Sequence, residues 1–78
     1  MTVGTVVDVI WATRKAECLQ GQTFLVIKSK DSEVVAADKV GAGPGDRVLV
    51  VTGSVASRYC DNTPIDAAAV AIVDAKKG

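Results

Sequence analysis

Histidine is absent from the sequence, cysteine occurs twice, and aromatic residues make up 4% of the chain. Because histidine is the commonest general base and a frequent metal ligand, its absence argues against acid–base catalysis and against a metal site. Cys18 and Cys60 cannot complete a zinc site by themselves, and nothing marks the chain as secreted. We therefore expect two free thiols, no catalytic residue, no metal and no cofactor.

Charge of one sign is not in excess, because nine Lys and Arg residues balance nine Asp and Glu residues. A neutral chain lacks the long-range field that attracts nucleic acid or an anionic membrane. Its apolar runs are far shorter than the roughly 20 residues that span a bilayer. No basic residue precedes Arg14, unlike the start of a signal peptide. The expected location is the cytoplasm, without a membrane or nucleic-acid partner.

Apolar side chain, by contrast, is abundant, at 49% of 78 residues. A chain of this length forms one domain, residues 1–78, and buries only roughly 60–65% of its unfolded surface. The apolar side chains therefore exceed what so small a domain can hide. Either the protein aggregates or it buries the excess against copies of itself.

A glycine-dense turn leads into an apolar strand in the middle of the chain. The candidate turn residues are Gly41, Gly43, Pro44, Gly45 and Asp46. Glycine adopts positive φ at little steric cost, so valine at Gly43 or Gly45 is expected to be strained. A phosphate-binding loop is disfavoured, because Asp46-Arg47 follows Gly45 where such a loop needs Lys and then Ser or Thr.

Five segments rich in valine, isoleucine and threonine have the character of β-strands: 2–13, 23–28, 33–37, 47–52 and 68–74. In the first strand, simple alternation places Val7, Val9 and Trp11 on one face. The other face carries Val6, Asp8, Ile10 and Ala12. The last segment is ambiguous, because alanine favours helix whereas valine and isoleucine favour strand. Residues 54–59 form a helical turn with Ser54 as its N-cap.

The number and spacing of these segments predict an all-β fold, a small five-stranded, OB-fold-like β-barrel with a short helical turn. Barrels of this kind often bind single-stranded nucleic acid through exposed aromatic residues in a basic groove. Here the aromatic residues are Trp11, Phe24 and Tyr59, and the formal charge is zero. Single-stranded nucleic acid binding therefore stands as the alternative function.

Several short stretches, taken together, resemble a known family. They are residues 1–7, Ala12-Thr-Arg-Lys15, Leu19-Gln-Gly21, the turn 38–46 with the strand 47–51, Gly53-Ser54, and Pro64-Ile-Asp-Ala-Ala68 with Ile72-Val-Asp74. In their order and spacing they resemble the bacterial microcompartment vertex proteins of the EutN/CcmL type. The resemblance runs nearly from end to end of the chain.

The resemblance implies a structural protein whose OB-like barrel assembles as a cyclic homopentamer. Such a ring caps the five-fold vertices of a polyhedral shell, contacts hexameric shell proteins and closes the shell around enzymes. The resemblance also implies a central opening near the family's G-S-S-A-R segment. The candidate pore-lining residues are Gly53, Ser54, Val55, Ala56 and Ser57, with Val55 replacing the second serine and the arginine one place late as Arg58. Arg14, Lys15 and Arg58 are candidate subunit or shell contacts.

Overall fold

The computed structural model describes residues 1–12, 14–59 and 65–74, with the side chains of Val55, Ser57 and Tyr59 left out of the description. The strands are β1 (Thr2–Ile10), β2 (Phe24–Ser29), β3 (Ser32–Asp38), β4 (Arg47–Thr52) and β5 (Ala67–Ile72). A short helix, α1 (Ser54–Tyr59), lies between β4 and β5, and a 3₁₀ turn covers Glu17–Leu19. Among the described residues, no helix has the length and apolar character that a membrane crossing requires.

The five strands close into a barrel in the order β1-β2-β3-β5-β4, so that β4 returns to pair with β1. Neighbouring strands are antiparallel except β3 and β5, which run parallel. Closure pairs each strand with two neighbours and so protects strand edges from pairing with other chains. The predicted all-β, five-stranded barrel is confirmed.

The predicted first strand and helix differ from the structure at their ends. β1 stops at Ile10, and Trp11 and Ala12 belong to the connection that follows it. Helix α1 includes Ser54 as its first residue, and the N–H of Ala56 donates to the carbonyl oxygen of Gly53 at 3.0 Å. Gly53, rather than Ser54, is therefore the residue directly before the helix.

The predicted faces of β1 are wrong because the strand contains a β-bulge. Val6 pairs with Ile27 and Asp8 with Val26, so Val7 is an additional residue without a partner in this register. Before the bulge, Val6 is buried in the barrel; after it, Val9 packs against the barrel core, and Val7 stays 46% exposed. A bulge reverses the alternation of a strand, and it depends on pairing with the neighbouring strand.

Two apolar clusters hold the fold together. The first fills the barrel and includes Val6, Leu25, Ile27, Val48 and Val50. The second lies outside the barrel, where α1 and the segment before β5 cover the sheet, and consists of Ala37, Val51, Ala56, Ile65 and Ala68. Strand β5 contributes to both clusters, and its first three residues, Ala67, Ala68 and Ala69, are at most 1% exposed. This burial on both faces explains its alanine-rich, ambiguous sequence.

The glycine turn closes one end of the barrel. The Oδ1 atom of Asp38 accepts hydrogen bonds from the N–H groups of Val40, Gly41 and Ala42 at 3.0, 2.9 and 3.2 Å. The Oδ2 atom of Asp46 accepts one from the N–H of Gly43 at 2.9 Å. Ala42 is buried against the barrel core, so the turn covers the core at this end of the barrel.

Positive φ occurs at Gly41 (76°) and Gly45 (94°) in this turn, but not at Gly43. The expectation that valine would be strained at Gly43 by positive φ is therefore wrong. A Cβ at either Gly43 or Gly45 would meet no atom within 4 Å, so backbone conformation alone separates the two positions.

Gly45→Val is expected to destabilise the protein by about 1–2 kcal/mol, because a β-branched residue is strained in the left-handed region. Gly43→Val is the matched control and should cost much less. Urea denaturation of both variants at one protein concentration checks this. Equal losses of stability would contradict the assignment of backbone strain to Gly45.

Gly4→Ala is expected to destabilise the fold by about 1–3 kcal/mol through overpacking. Gly4 is buried in β1, and a methyl group there would lie 2.5 Å from Ile27 Cγ2 and 3.1 Å from the carbonyl oxygen of Lys28. In an Ile27→Ala background the clash with Cγ2 disappears, so the same change should cost less. A double-mutant cycle measures this coupling; simple additivity would show that Ile27 does not exclude the methyl group.

Candidate assembly surface

The candidate pore segment begins where β4 ends and α1 starts. Gly53 has a φ of 78°, and its N–H donates to the carbonyl oxygen of Asp66 at 2.8 Å, which ties the start of the helix to the segment before β5. Gly53 and Ser54 are exposed, whereas Ala56 is fully buried in the outer cluster. The side chains of Val55 and Ser57 lie outside the description. Of the candidate pore-lining residues whose side chains are described, Gly53 and Ser54 are therefore exposed, whereas Ala56 packs against the sheet.

The three candidate contact residues come from two neighbouring parts of the surface. Arg14 is exposed and Lys15 half-buried in the connection between β1 and β2. Arg58 is exposed in the last turn of α1. Leu19, from the same connection as Arg14, packs against the outer cluster that contains Ala56 of α1. The connection and the helix thus lie at the same end of the barrel.

Large apolar side chains are exposed at several positions. They are Met1, Val3, Val7, Ile10, Trp11, Val35 and Ile72, and Trp11 has the highest exposed fraction at 87%. Exposed tryptophan and contiguous apolar surface are typical of protein contacts. The composition predicted that apolar side chains would remain exposed, but it did not show which ones. The available signal was valine at outward positions of β1 and β3, where an antiparallel sheet facing water usually carries polar residues.

The acidic and thiol side chains of the described residues are the candidates for a metal site or a catalytic site. Among residues 1–12, 14–59 and 65–74 no group of three or more His, Cys, Asp or Glu side chains is placed to hold a metal ion. Cys18 is exposed, and Cys60 lies outside the described residues. The carboxylates of Asp38 and Asp46 each accept hydrogen bonds from backbone N–H groups of the glycine turn.

Comparison with known proteins shows which family the sequence and the fold resemble. The family model described as "Ethanolamine utilisation protein EutN/carboxysome" matches residues 1–74. The carboxysome shell vertex protein CcmL of Thermosynechococcus vestitus is 42% identical, in an alignment that covers 95% of this chain and 84% of that protein. The microcompartment shell vertex protein GrpN of Rhodospirillum rubrum is 37% identical, in an alignment that covers 95% of this chain and 93% of that protein.

The barrel itself is shared with a solved structure. The GrpN pentameric microcompartment shell protein from Rhodospirillum rubrum matches with a TM-score of 0.83 and 36% identity, covering 100% of this chain and 98% of that chain. The resemblance drawn from the sequence motifs is thereby confirmed. The family model covers residues 1–74, a shell vertex protein is 42% identical to the chain, and a solved shell protein has the same fold. This chain therefore belongs to the EutN/CcmL family.

Proposed function

We propose that the protein is a structural shell protein that caps the five-fold vertices of a polyhedral bacterial microcompartment in the cytoplasm. It forms a homopentamer and closes the shell around encapsulated enzymes, without a catalytic activity of its own. The observation that carries this proposal is the likeness of the whole barrel to a pentameric microcompartment shell protein, at 36% identity.

The surface of the single chain supports assembly. A head-to-tail contact uses two different surfaces of each subunit and closes into a ring when the rotation between subunits divides the circle. Exposed Trp11, Val3 and Val35 would be costly to leave in water, and contact with neighbouring subunits removes them from it. Assembly therefore accounts for the apolar surplus.

Geometry explains why a shell needs such a unit. Six-fold tiles pack into flat sheets, and a five-fold unit introduces the curvature that closes them. The partners are accordingly further copies of this chain and hexameric shell proteins. Arg14, Lys15 and Arg58 are the proposed contacts with those partners. The segment proposed to line the central opening is Gly53, Ser54, Val55, Ala56 and Ser57.

The relatives and the surface of the chain do not support the alternative function, binding of single-stranded nucleic acid. None of the relatives reported above is named for nucleic acid. Binding by base stacking combines several exposed aromatic rings with a basic groove. Trp11 is exposed, but Phe24 packs against the outer cluster, and the chain has no net positive charge to attract phosphates.

Native mass spectrometry of the purified protein at micromolar concentration should show a dominant species of about 40 kDa, five times the 8.0 kDa of one chain. The reason is that the exposed apolar surface is buried only when a ring closes. A population of monomers or dimers, or rings of another order, would contradict the proposal.

Co-expression with hexameric shell proteins tests the vertex role itself. With this chain, electron microscopy should show closed polyhedral particles; without it, open or incompletely closed shells, because flat tiles lack the five-fold corners. An Asp31→Ser variant, altered in the exposed turn between β2 and β3, is the control and should close shells normally. Shells that close equally well without the chain would contradict the vertex role.

A further inference from the structure

We propose that the part of β1 beyond Val6 is an open strand edge that can pair with the same segment of a second copy, and that the Asp8 carboxylate keeps this edge closed. Such pairing would lead to aggregates in place of an ordered particle. Nothing in this role of Asp8 requires the proposed function, because the edge and the carboxylate belong to the single chain.

Strand β1 is longer than its pairing with β4. Residues 2–5 pair with β4, and the backbone of Val6 bonds to Gly45 and Asp46 of the glycine turn. Beyond Val6 the strand still pairs with β2, but among the described residues no backbone hydrogen bond continues on the β4 side. A strand edge of this kind is a template for another extended chain.

The side chains along this edge favour pairing with an identical segment. Val7, Ile10 and Trp11 are exposed. Residues 5–11 read Thr5-Val-Val-Asp-Val-Ile-Trp11, without glycine or proline. Segments of about six or seven residues with high β-propensity, low net charge and no proline are typical of cross-β pairing between copies of one chain. The occupant of the open edge is therefore the same segment of a second copy.

Asp8 interrupts this segment in two ways. It is exposed, and it is the only charged side chain of residues 1–13. Its Oδ1 atom also accepts a hydrogen bond from the N–H of Val9 at 2.8 Å. That donor is already occupied, so an approaching strand has to displace a carboxylate to reach it. Charged side chains at edges are a common means by which β proteins prevent edge-to-edge pairing.

The β-bulge puts Asp8 in the position that this role needs. Under simple alternation Asp8 would share a face with Val6, whose side chain is buried inside the barrel. Because Val7 is the additional residue, Asp8 pairs with Val26 and is exposed, and Val9 packs against the barrel core instead. The bulge therefore keeps the charge on the outside of the strand, beside the open edge.

Pairing of two copies at this edge would bring two Asp8 carboxylates into one short contact. Like charges at a contact repel each other, and taking them out of water adds to the cost. The same contact without the two carboxylates would bury apolar side chains and pair backbone groups. Removal of the Asp8 charge should therefore release the edge.

Variants at two exposed aspartates separate the effects of the charge, the hydrogen bond and the net charge of the chain. Asp8→Ala removes charge and acceptor, and should lower the highest concentration of soluble protein by on the order of tenfold. Asp8→Lys restores a charge at the edge and should restore solubility. Asp8→Asn keeps an Oδ1 acceptor without the charge and should fall between them. Asp31→Ala changes the net charge equally, in the turn between β2 and β3, and is the matched control.

Light scattering across a concentration series measures the loss of soluble protein, and hydrogen exchange of the aggregates locates the segment that has paired. Aggregation of Asp8→Ala with protection of residues 7–11, together with soluble Asp8→Lys and Asp31→Ala, supports the role of Asp8. An Asp8→Ala protein as soluble as the parent overturns it. Aggregates in which residues 7–11 exchange freely, or equal aggregation of Asp31→Ala, also overturn it.

Gly4→Ala distinguishes release of the edge from a general loss of stability. This change is expected to destabilise the same strand while Asp8 stays in place, and urea denaturation gives the stability of each variant. Asp8→Ala should aggregate at lower concentration than Gly4→Ala even where Gly4→Ala is the less stable of the two. If solubility instead follows stability through both variants, Asp8 has no protective role at the edge.

Discussion

The structure depends on closure of the barrel at Val6, where β1 has to pair on both sides at once. On one side Val6 lies opposite Ile27 of β2. On the other, the N–H of Val6 donates to the carbonyl oxygen of Asp46 and its carbonyl oxygen accepts from the N–H of Gly45, both at 2.9 Å. The glycine turn thus extends the pairing of β1 with β4 by one step. Positive φ at Gly45 and the hydrogen bonds of the Asp38 carboxylate keep the turn in the conformation that makes this possible.

Closure with five short strands leaves a narrow interior, and this decides where the remaining apolar residues go. The barrel core is filled by a few aliphatic side chains and by alanines of β3 and β5. Helix α1 covers part of the outer surface, and the residues outside its reach, such as Val3 and Val35, stay exposed. Further stabilisation then has to come from contacts between chains, because a domain of this size cannot enlarge its core. The proposed assembly would bury these exposed residues against further copies of the chain.

Much of the fold could be predicted because its signals are local. Five valine-rich segments, a glycine turn and a helical turn after Gly53 are each visible within about ten residues of sequence, and the strand count was correct. The faces of β1 could not be predicted, because the additional residue at Val7 exists only in the pairing of β1 with β2. Gly43 and Gly45 stand on either side of Pro44 in the sequence, and only the structure shows that Gly45, whose N–H donates to the carbonyl oxygen of Val6, has a positive φ whereas Gly43 does not.

The amino-acid sequence by itself determined the all-β class, the position of the turn, the absence of histidine chemistry, the apolar surplus and membership of the EutN/CcmL family. Each of these follows from residue type and short spacing. Only the tertiary structure decided which apolar residues stay outside and which sides of the barrel they occupy. The physical reason is that strand order and register are properties of pairs of distant segments: the bulge at Val7 shifts the inward face of β1 by one residue, and the order β1-β2-β3-β5-β4 puts β4 opposite the β2–β3 pair.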